Sequence, residues 1–507
     1  GSNTTGTRNL AIGSAAYGSS DTENDNIAIG FNAMTTNTAG GSSNLAIGNY
    51  ALDALTSGDE NVAIGQNAAG ALTTGSSNTA VGATALGGAD VTGNFNTAIG
   101  HNAMDANTSG YSNTAVGKDA LGANTTGADN VAVGQGALLS NTTGTANIAI
   151  GHDTLLGNTT GDLNIGIGFA ALAANTTGTR NIAIGYQAYT GSDTENDNIA
   201  IGYNAMTTNT AAGTTNIAIG NYALDALISG DANIAIGHNA GTAITGGTNN
   251  MGIGHGALAT MAGNSNSTAV GYLALQVDTG GSNSAFGSYA GYAVTTGVSN
   301  VLLGLNAGQA LTEGNTNTFV GNNAGGTTTT GISNVFIGNS ARATAANKTN
   351  CIAIGDNIAG DNNDFTFGKA SNTVYNTFTS DASWTRSSDE RKKTDIADAT
   401  LGLDFINDLS TKTFKWKRSQ DIPNTLDDYR EDVNLMDTDV TMHGMLAQDV
   451  KAALDTAGVT TFGGWQERSD GSQCLSQEMF IYPLIKAMQE LSAKNDALLA
   501  RIETLEG

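Results

Sequence analysis

The sequence predicts a mainly β protein: a long parallel β-solenoid followed by a small α+β unit that ends in a helix. Three observations carry that expectation. The first is a motif of the form Asn-x-Ala-[Ile/Val]-Gly, with its Gly at 13, 30, 48, 65, 82, 100, 117, 134, 151, 168, 185, 202, 220, 237, 254, 271, 287, 304, 321, 338 and 355. Sixteen of the twenty gaps are 17 residues and the others are 16 or 18. Units this short cannot each bury a core, so about 21 of them must stack on one another. The second is composition: 68 Gly against 2 Pro, with Pro423 and Pro483 both outside the repeats. Gly without Pro suits tight turns between strands that keep their ladder hydrogen bonds, not collagen or a disordered linker. The third is a shift in charge. Only Arg8, Lys118, Arg180, Arg342 and Lys348 precede residue 360, and the other fifteen of the 20 Lys and Arg follow it. The expected organisation is a repetitive rod over 1–360, a β cap and linker over 361–387, and a separate unit over 388–507.

Within one coil, Asn181-Ile182-Ala183-Ile184-Gly185 reads as a short strand. Tyr186-Gln187-Ala188-Tyr189 reads as a second, and a polar loop closes the turn, often Asn-Thr-Thr-Gly as at 141–144. Two strands of four or five residues and two turns account for the period. Stacked at about 4.8 Å per coil, the rod would be roughly 100 Å long. The residue before each Gly (Ile12, Ile29, Ile47, Ile64, Val81, Ile99) is expected to form an internal ladder, and the Ala before it to face the opposite side. So thin a coil buries little apolar surface, which favours several chains packed together. Residues 20–39 and 192–211 differ only at Phe31 against Tyr203, an offset of ten coils, so the rod has grown by block copying.

The repeat Asn-x-Ala-Ile-Gly followed by x-x-Ala-Leu resembles the head repeats of trimeric autotransporter adhesins. That resemblance covers residues 9 to about 360 and implies a parallel β-roll with three chains side by side. Those heads commonly use shorter repeats, and the C-terminal membrane-anchoring β-barrel of such adhesins has no counterpart in this sequence.

The column after the motif Gly holds Phe31, Phe169, Tyr186, Tyr203 and Tyr272, four histidines (His101, His152, His238, His255), and Asn49, Gln66 and Gln135. Flat rings interleaved with amides are the chemistry of saccharide contact, so the five Phe and Tyr are candidate glycan contacts. The plainer alternative is a corner ring packed on its neighbour. A histidine metal site lacks a third ligand. The loops Asp21-Thr22-Glu23-Asn24-Asp25-Asn26 and Asp193-Thr194-Glu195-Asn196-Asp197-Asn198 cluster oxygens, but without the Gly and terminal Glu of an EF-hand they read as solvated turns. No metal and no cofactor are assigned.

The formal charge of −25 excludes nucleic acid as a natural partner. The two cysteines, Cys351 and Cys474, make no disulfide framework. No apolar run reaches membrane-spanning length and no signal peptide is visible; the first residues are Gly-Ser.

After Gly355 the pattern dissolves, and Phe365, Phe367, Val374, Tyr375 and Phe378 suggest a β cap. Then comes Ser388-Asp389-Glu390-Arg391-Lys392-Lys393-Thr394-Asp395-Ile396, followed in order by Leu401-Gly402-Leu403-Asp404-Phe405-Ile406, Phe414-Lys415-Trp416-Lys417 and His443-Gly444-Met445-Leu446-Ala447-Gln448-Asp449-Val450. These blocks resemble the intramolecular chaperone of endosialidase-type phage tailspikes and tail fibres, the peptidase S74 family, over essentially all of 388–507. The resemblance implies one self-cleavage, between Ser388 and Asp389, by a dyad of Ser388 and Lys393. A serine needs an adjacent base, and a desolvated lysine can serve. Attack by Ser388 on its own carbonyl would close a strained four-membered ring. Attack on a neighbouring chain, and Lys-assisted hydrolysis with Ser388 as helper, both remain open.

The last segment, 481–507, places Leu484, Met488, Leu491, Asn495, Leu498, Ile502 and Leu505 at alternating spacings of 4 and 3. That is an a/d heptad with one polar core position, expected to join three chains. The plainer reading is an amphipathic helix packed on its own unit. Together these features point to a homotrimeric phage tail-fibre rod that binds a host-surface glycan or protein receptor, located in the virion and joined to an upstream attachment protein. The self-cleaving unit would be its single enzymatic activity. A bacterial surface adhesin, a purely structural spacer and an ice-binding solenoid are the alternatives. Thr in loops rather than strand pairs counts against the last.

Overall fold

The computed structural model describes residues 5–19, 22–191, 193–209, 211, 213–370, 372–377, 390, 393–426, 429, 431, 438–468 and 471–506. Contacts divide the chain into two units, 1–387 and 388–507. The first is the solenoid. Twenty strands of three residues, from Leu10–Ile12 to Val335–Ile337, follow one per coil, and Ile352–Asp356 supplies the twenty-first. Each pairs in parallel with the next in strict register, as Ile148, Ala149 and Ile150 do with Ile165, Gly166 and Ile167. A further, shorter coil ends in Asp364–Lys369, which pairs in parallel with Ile352–Asp356. It then turns back antiparallel against Asn372–Thr377 and completes a 23-stranded sheet. The β cap is therefore one more coil plus a hairpin. Phe378 lies outside the described residues.

Two expectations about the coil are overturned. The Ala is inside and the residue before the Gly is outside. Ala46, Ala63, Ala98 and Ala149 are fully buried, whereas Ile47, Ile64, Ile99 and Ile150 are 36–40% exposed. Alternation along a strand fits either polarity. The narrow coil decides it: its interior takes a methyl group at that position in most coils, and where Leu302 or Phe319 fills it, Gly308 or Gly325 faces the larger side chain. The second strand is also absent from most described coils, although Arg342–Ala343 and Ala359–Gly360 do pair there in parallel. In Tyr186-Gln187-Ala188-Tyr189 the backbone turns left-handed at Gln187 (φ 51°) and Tyr189 (φ 54°). Ala188 and Tyr189 are consecutive and both fully buried. A strand sends neighbours to opposite faces and cannot do this. Here the Gln187 amide donates to the Phe169 carbonyl of the coil before, and the Tyr189 amide to Ala205 of the coil after.

Close stacking fixes the motif glycine. A Cβ on Gly134 (φ +136°) would stand 2.4 Å from the Gly151 carbonyl oxygen. The motif Asn forms an internal ladder of its own. The Asn147 backbone amide donates to Asn130 Oδ1 (2.9 Å), while Asn147 Nδ2 donates to the Gly161 carbonyl (2.8 Å). A second buried column runs through Asn107, Asn124, Asn141, Asn158 and Asn175 of the polar loops. Buried amides are tolerable only when every donor finds an acceptor, and an in-register stack supplies one per coil. Cys351 takes the last place in the first column, where burial pushes its thiol pKa up to about 12 and leaves it unreactive.

One coil breaks both columns. Ser267 replaces the motif Asn and Asp278 the loop Asn, and Ser267 Oγ donates to Asp278 Oδ2 (3.2 Å). Asp278 is fully buried, and desolvation raises its pKa despite donors from Asn283 and Gly280. A carboxyl raised on folding favours the native state below the unfolded value and loses that benefit as pH rises through the folded value. Each unit of such a shift is about 1.4 kcal/mol. Relative to Asp278→Asn, the guanidinium unfolding midpoint of the wild-type rod should therefore fall from pH 4 upwards, leaving the variant the more stable at pH 7. A difference between the two midpoints that does not change over that range would contradict this account.

The second unit is small. Helix α1 (Leu403–Asp408), α2 (Ala447–Thr456) and α3 (Ile481–Glu506) surround a core of Leu401, Phe405, Val450, Leu454 and Phe480. Two antiparallel pairs, Lys412–Phe414 with Met442–Gly444 and Trp465–Glu467 with Gln473–Leu475, complete it.

Candidate functional site

The C-terminal unit presents its sequence blocks as follows. Ser388 and Asp389 lie outside the described residues. Lys393 is exposed, and its amide donates to the Glu390 carbonyl (3.0 Å). The Leu401–Ile406 block forms α1 and sends Leu401 and Phe405 into the core. The start of α1 is held from α3: Leu403 N donates to Glu490 Oε2 (2.8 Å). A Cβ on Gly402 would meet both Glu490 carboxylate oxygens at 2.4 Å, so a larger residue there would displace that carboxylate. The block from His443 to Val450 runs from a strand into α2, and Val450 is fully buried. Sequence reasoning missed Glu490, because nothing in a helical charge pattern marks a carboxylate that caps another helix.

On α3 the buried positions are Pro483 and Ala487. Leu484, Met488, Leu491, Leu498, Ile502 and Leu505 are 43–79% exposed, and Asn495 is exposed with them. The helix therefore turns a different face to its own unit, and the apolar heptad positions are left uncovered.

On the rod, the aromatic candidates separate into groups. His152, Phe169, Tyr186 and Tyr203 form one parallel stack with centroids 5.1–5.5 Å apart. Tyr272 belongs to a second stack with His255 and His238. Phe31 stands apart from both, edge-on to Tyr50 at 5.4 Å. Tyr222 and Tyr289 were not anticipated. Each sits one place later than the ring column, after Asn221 or Ser288; Tyr222 closes the gap between Tyr203 and His238 edge-on, and Tyr289 ends the second stack edge-on to Tyr272. The Asn-Tyr-Ala-Leu spelling at 221–224, repeated at 49–52, was the available signal.

The acidic loops are less solvated than expected. Glu23 and Glu195 are 2% exposed. Glu195 Oε2 accepts the amides of Asp193 (2.8 Å) and Thr194 (3.1 Å). Asp197 receives both Nε (2.6 Å) and Nη2 (2.8 Å) of Arg180, one coil away, which holds its carboxyl below the ordinary range. Arg8 and Asp25 pair likewise. Asp21 lies outside the described residues. Among the described residues no three His, Cys, Asp or Glu side chains converge as metal ligands. The loop threonines are also committed, since Thr125, Thr142 and Thr159 each donate to the carbonyl of the loop Thr one coil on. The second threonine of each such loop, Thr126, Thr143 and Thr160, is exposed. No described helix is long and apolar enough to cross a membrane.

Residues 388–459 match the peptidase S74 family, described as chaperone of endosialidase. The match begins at Ser388 and extends through α2, and it implies a self-cleaving intramolecular chaperone that follows the solenoid in the chain. No curated protein and no solved structure matches the chain.

Proposed function

We propose that this chain is the rod of a phage tail fibre that attaches to the host surface. Three copies are aligned by the C-terminal unit, which then cuts itself away between Ser388 and Asp389, with Ser388 and Lys393 as the dyad. The observation that carries this reading is a chaperone-of-endosialidase match directly C-terminal to 21 near-identical coils. The pairing makes physical sense. Coils so alike can align one step out of register between chains at little cost, so register must be imposed from outside the repeats. Two uncovered apolar surfaces favour association of three chains: the heptad stripe of α3, and the outward columns of Ile, Val and Leu flanking the buried Ala of each strand. Exposure of Lys393 in the single chain fits a base that is desolvated only on assembly. An acidic rod with few cations would meet neutral host surfaces more readily than polyanionic ones.

Sedimentation equilibrium tests the assembly. The uncut Ser388→Ala chain should sediment at three times its 51.1 kDa mass, and a mass of one chain would rule this reading out.

A further inference from the structure

Nine consecutive coils, from the one at Gly151 to the one at Gly287, each place one aromatic or imidazole ring on the same side of the rod. The rings are in unbroken contact from His152 to Tyr289. At about 4.8 Å per coil the strip is about 40 Å long. Folding does not require it. Coils elsewhere stack in the same register with Gln66, Lys118, Gln135 or Asn322 in that column. The rings are also costly to display, with Phe169, Tyr186, Tyr203 and Tyr272 all 42–46% exposed. A bounded block of exposed rings, on a scaffold that manages without them, calls for a ligand.

The ring geometry limits what that ligand is. Inside each stack the planes are within 11–25° of parallel, so the rings cover one another's faces and turn their rims outward. Tyr222 and Tyr289, both half-buried, stand at 68–83° to the rings beside them, Tyr292 included, which turns their faces off the stack. They are four coils, about 19 Å, apart. The strip thus offers two flat apolar platforms separated by a row of phenol hydroxyls and imidazole nitrogens. An extended sugar chain has the matching alternation, with C–H faces that pack on rings and hydroxyls that meet polar rims. Charge narrows it further. Residues 151–300 carry eight Asp or Glu and one Arg, and that Arg180 is already paired with Asp197.

We infer that the strip from His152 to Tyr289 binds a neutral, extended polysaccharide lying along the rod. This rests on the host-attachment reading above and gives it a chemical class of receptor. The test uses the chain's own alternatives, Tyr186→Asn, Tyr203→Asn, Tyr222→Asn and Tyr289→Asn together, because Asn49 and Asn67 fill the two equivalent positions in other coils. The processed fibre is co-sedimented with cellulose and with chitin, and titrated with soluble polygalacturonate. Wild type should bind at least one of the two neutral polymers, equally well in low salt and in roughly 0.5 M salt. The fourfold variant should bind at least about tenfold more weakly. Failure of wild type to bind either neutral polymer, binding of polygalacturonate alone, or undiminished binding by the variant would overturn the inference. So would loss of the oligomer in the variant, which would place the rings between chains. Self-cleavage and solution mass in the same preparations report on the fibre reading separately. Normal processing and mass without polysaccharide binding would remove the strip's role and leave that reading standing.

Discussion

Ser388→Ala should leave the chain whole. Wild type expressed from the same gene should give a rod fragment ending near Ser388 and a small piece beginning at Asp389. Lys393→Ala should do the same, with the cutting rate falling by roughly 10²–10⁴, the usual contribution of a positioned base. Lys393→Arg should not rescue it, because guanidinium does not give up its proton. Lys393 is exposed and is not part of the core of Leu401, Phe405, Val450 and Phe480, so the uncut chains should fold and assemble. If the environment of Lys393 is completed only in the assembled protein, cutting should lag behind assembly and slow on dilution. N-terminal sequencing of the small fragment is the direct check. A new end far from Asp389, or efficient cutting in Lys393→Ala, would show the dyad to be wrong.

Deleting 389–507 from the gene should have the opposite outcome, loss of assembly with no cut to make. Most of the rod should then appear as aggregates or as mixed, misaligned oligomers. Within a chain the coil register is fixed by connectivity. Between chains, a shift of one coil exchanges Ala for Ala and Ile for Ile at almost every contact, as the pairing of Ile182 with Ile199 and Ile184 with Ile201 illustrates. Removing the same segment after assembly, by normal self-cleavage, should leave a rod that resists unfolding and does not reassemble once unfolded. Size-exclusion chromatography with light scattering separates the cases. A monodisperse oligomer from the truncated gene would refute the chaperone role.

The glycine period was enough to read the solenoid, because a motif repeated at constant spacing has few ways to bury itself. Polarity was not readable. Ile47 and Ala46 alternate, and only the width of the coil decides which of them enters it. The second segment misled because Ala188 and Tyr189 resemble a strand in composition, while left-handed residues on either side of Ala188 point both of them inward. The asparagine columns were visible as letters, but their meaning depends on what Asn130 offers Asn147 one coil away. At the C-terminal unit the family blocks were legible in order, and the heptad positions of α3 are uncovered. The cap that Glu490 provides for α1 joins residues 87 apart and has no local signature.

The hydrogen bonds that join coils, such as Gly134 N to the Val116 carbonyl at 2.8 Å, run along the stack, while the covalent chain runs around it. Tension along the rod therefore loads those bonds one layer at a time rather than all together. An isolated chain should yield by peeling single coils. Each 17-residue coil would lengthen from about 4.8 Å to nearly 60 Å once extended, so each step would dissipate work while the remaining layers stay intact. The same stack under compression or bending meets backbone on backbone at every motif glycine, with no soft layer between. The rod is built as a stiff strut that fails gradually when pulled.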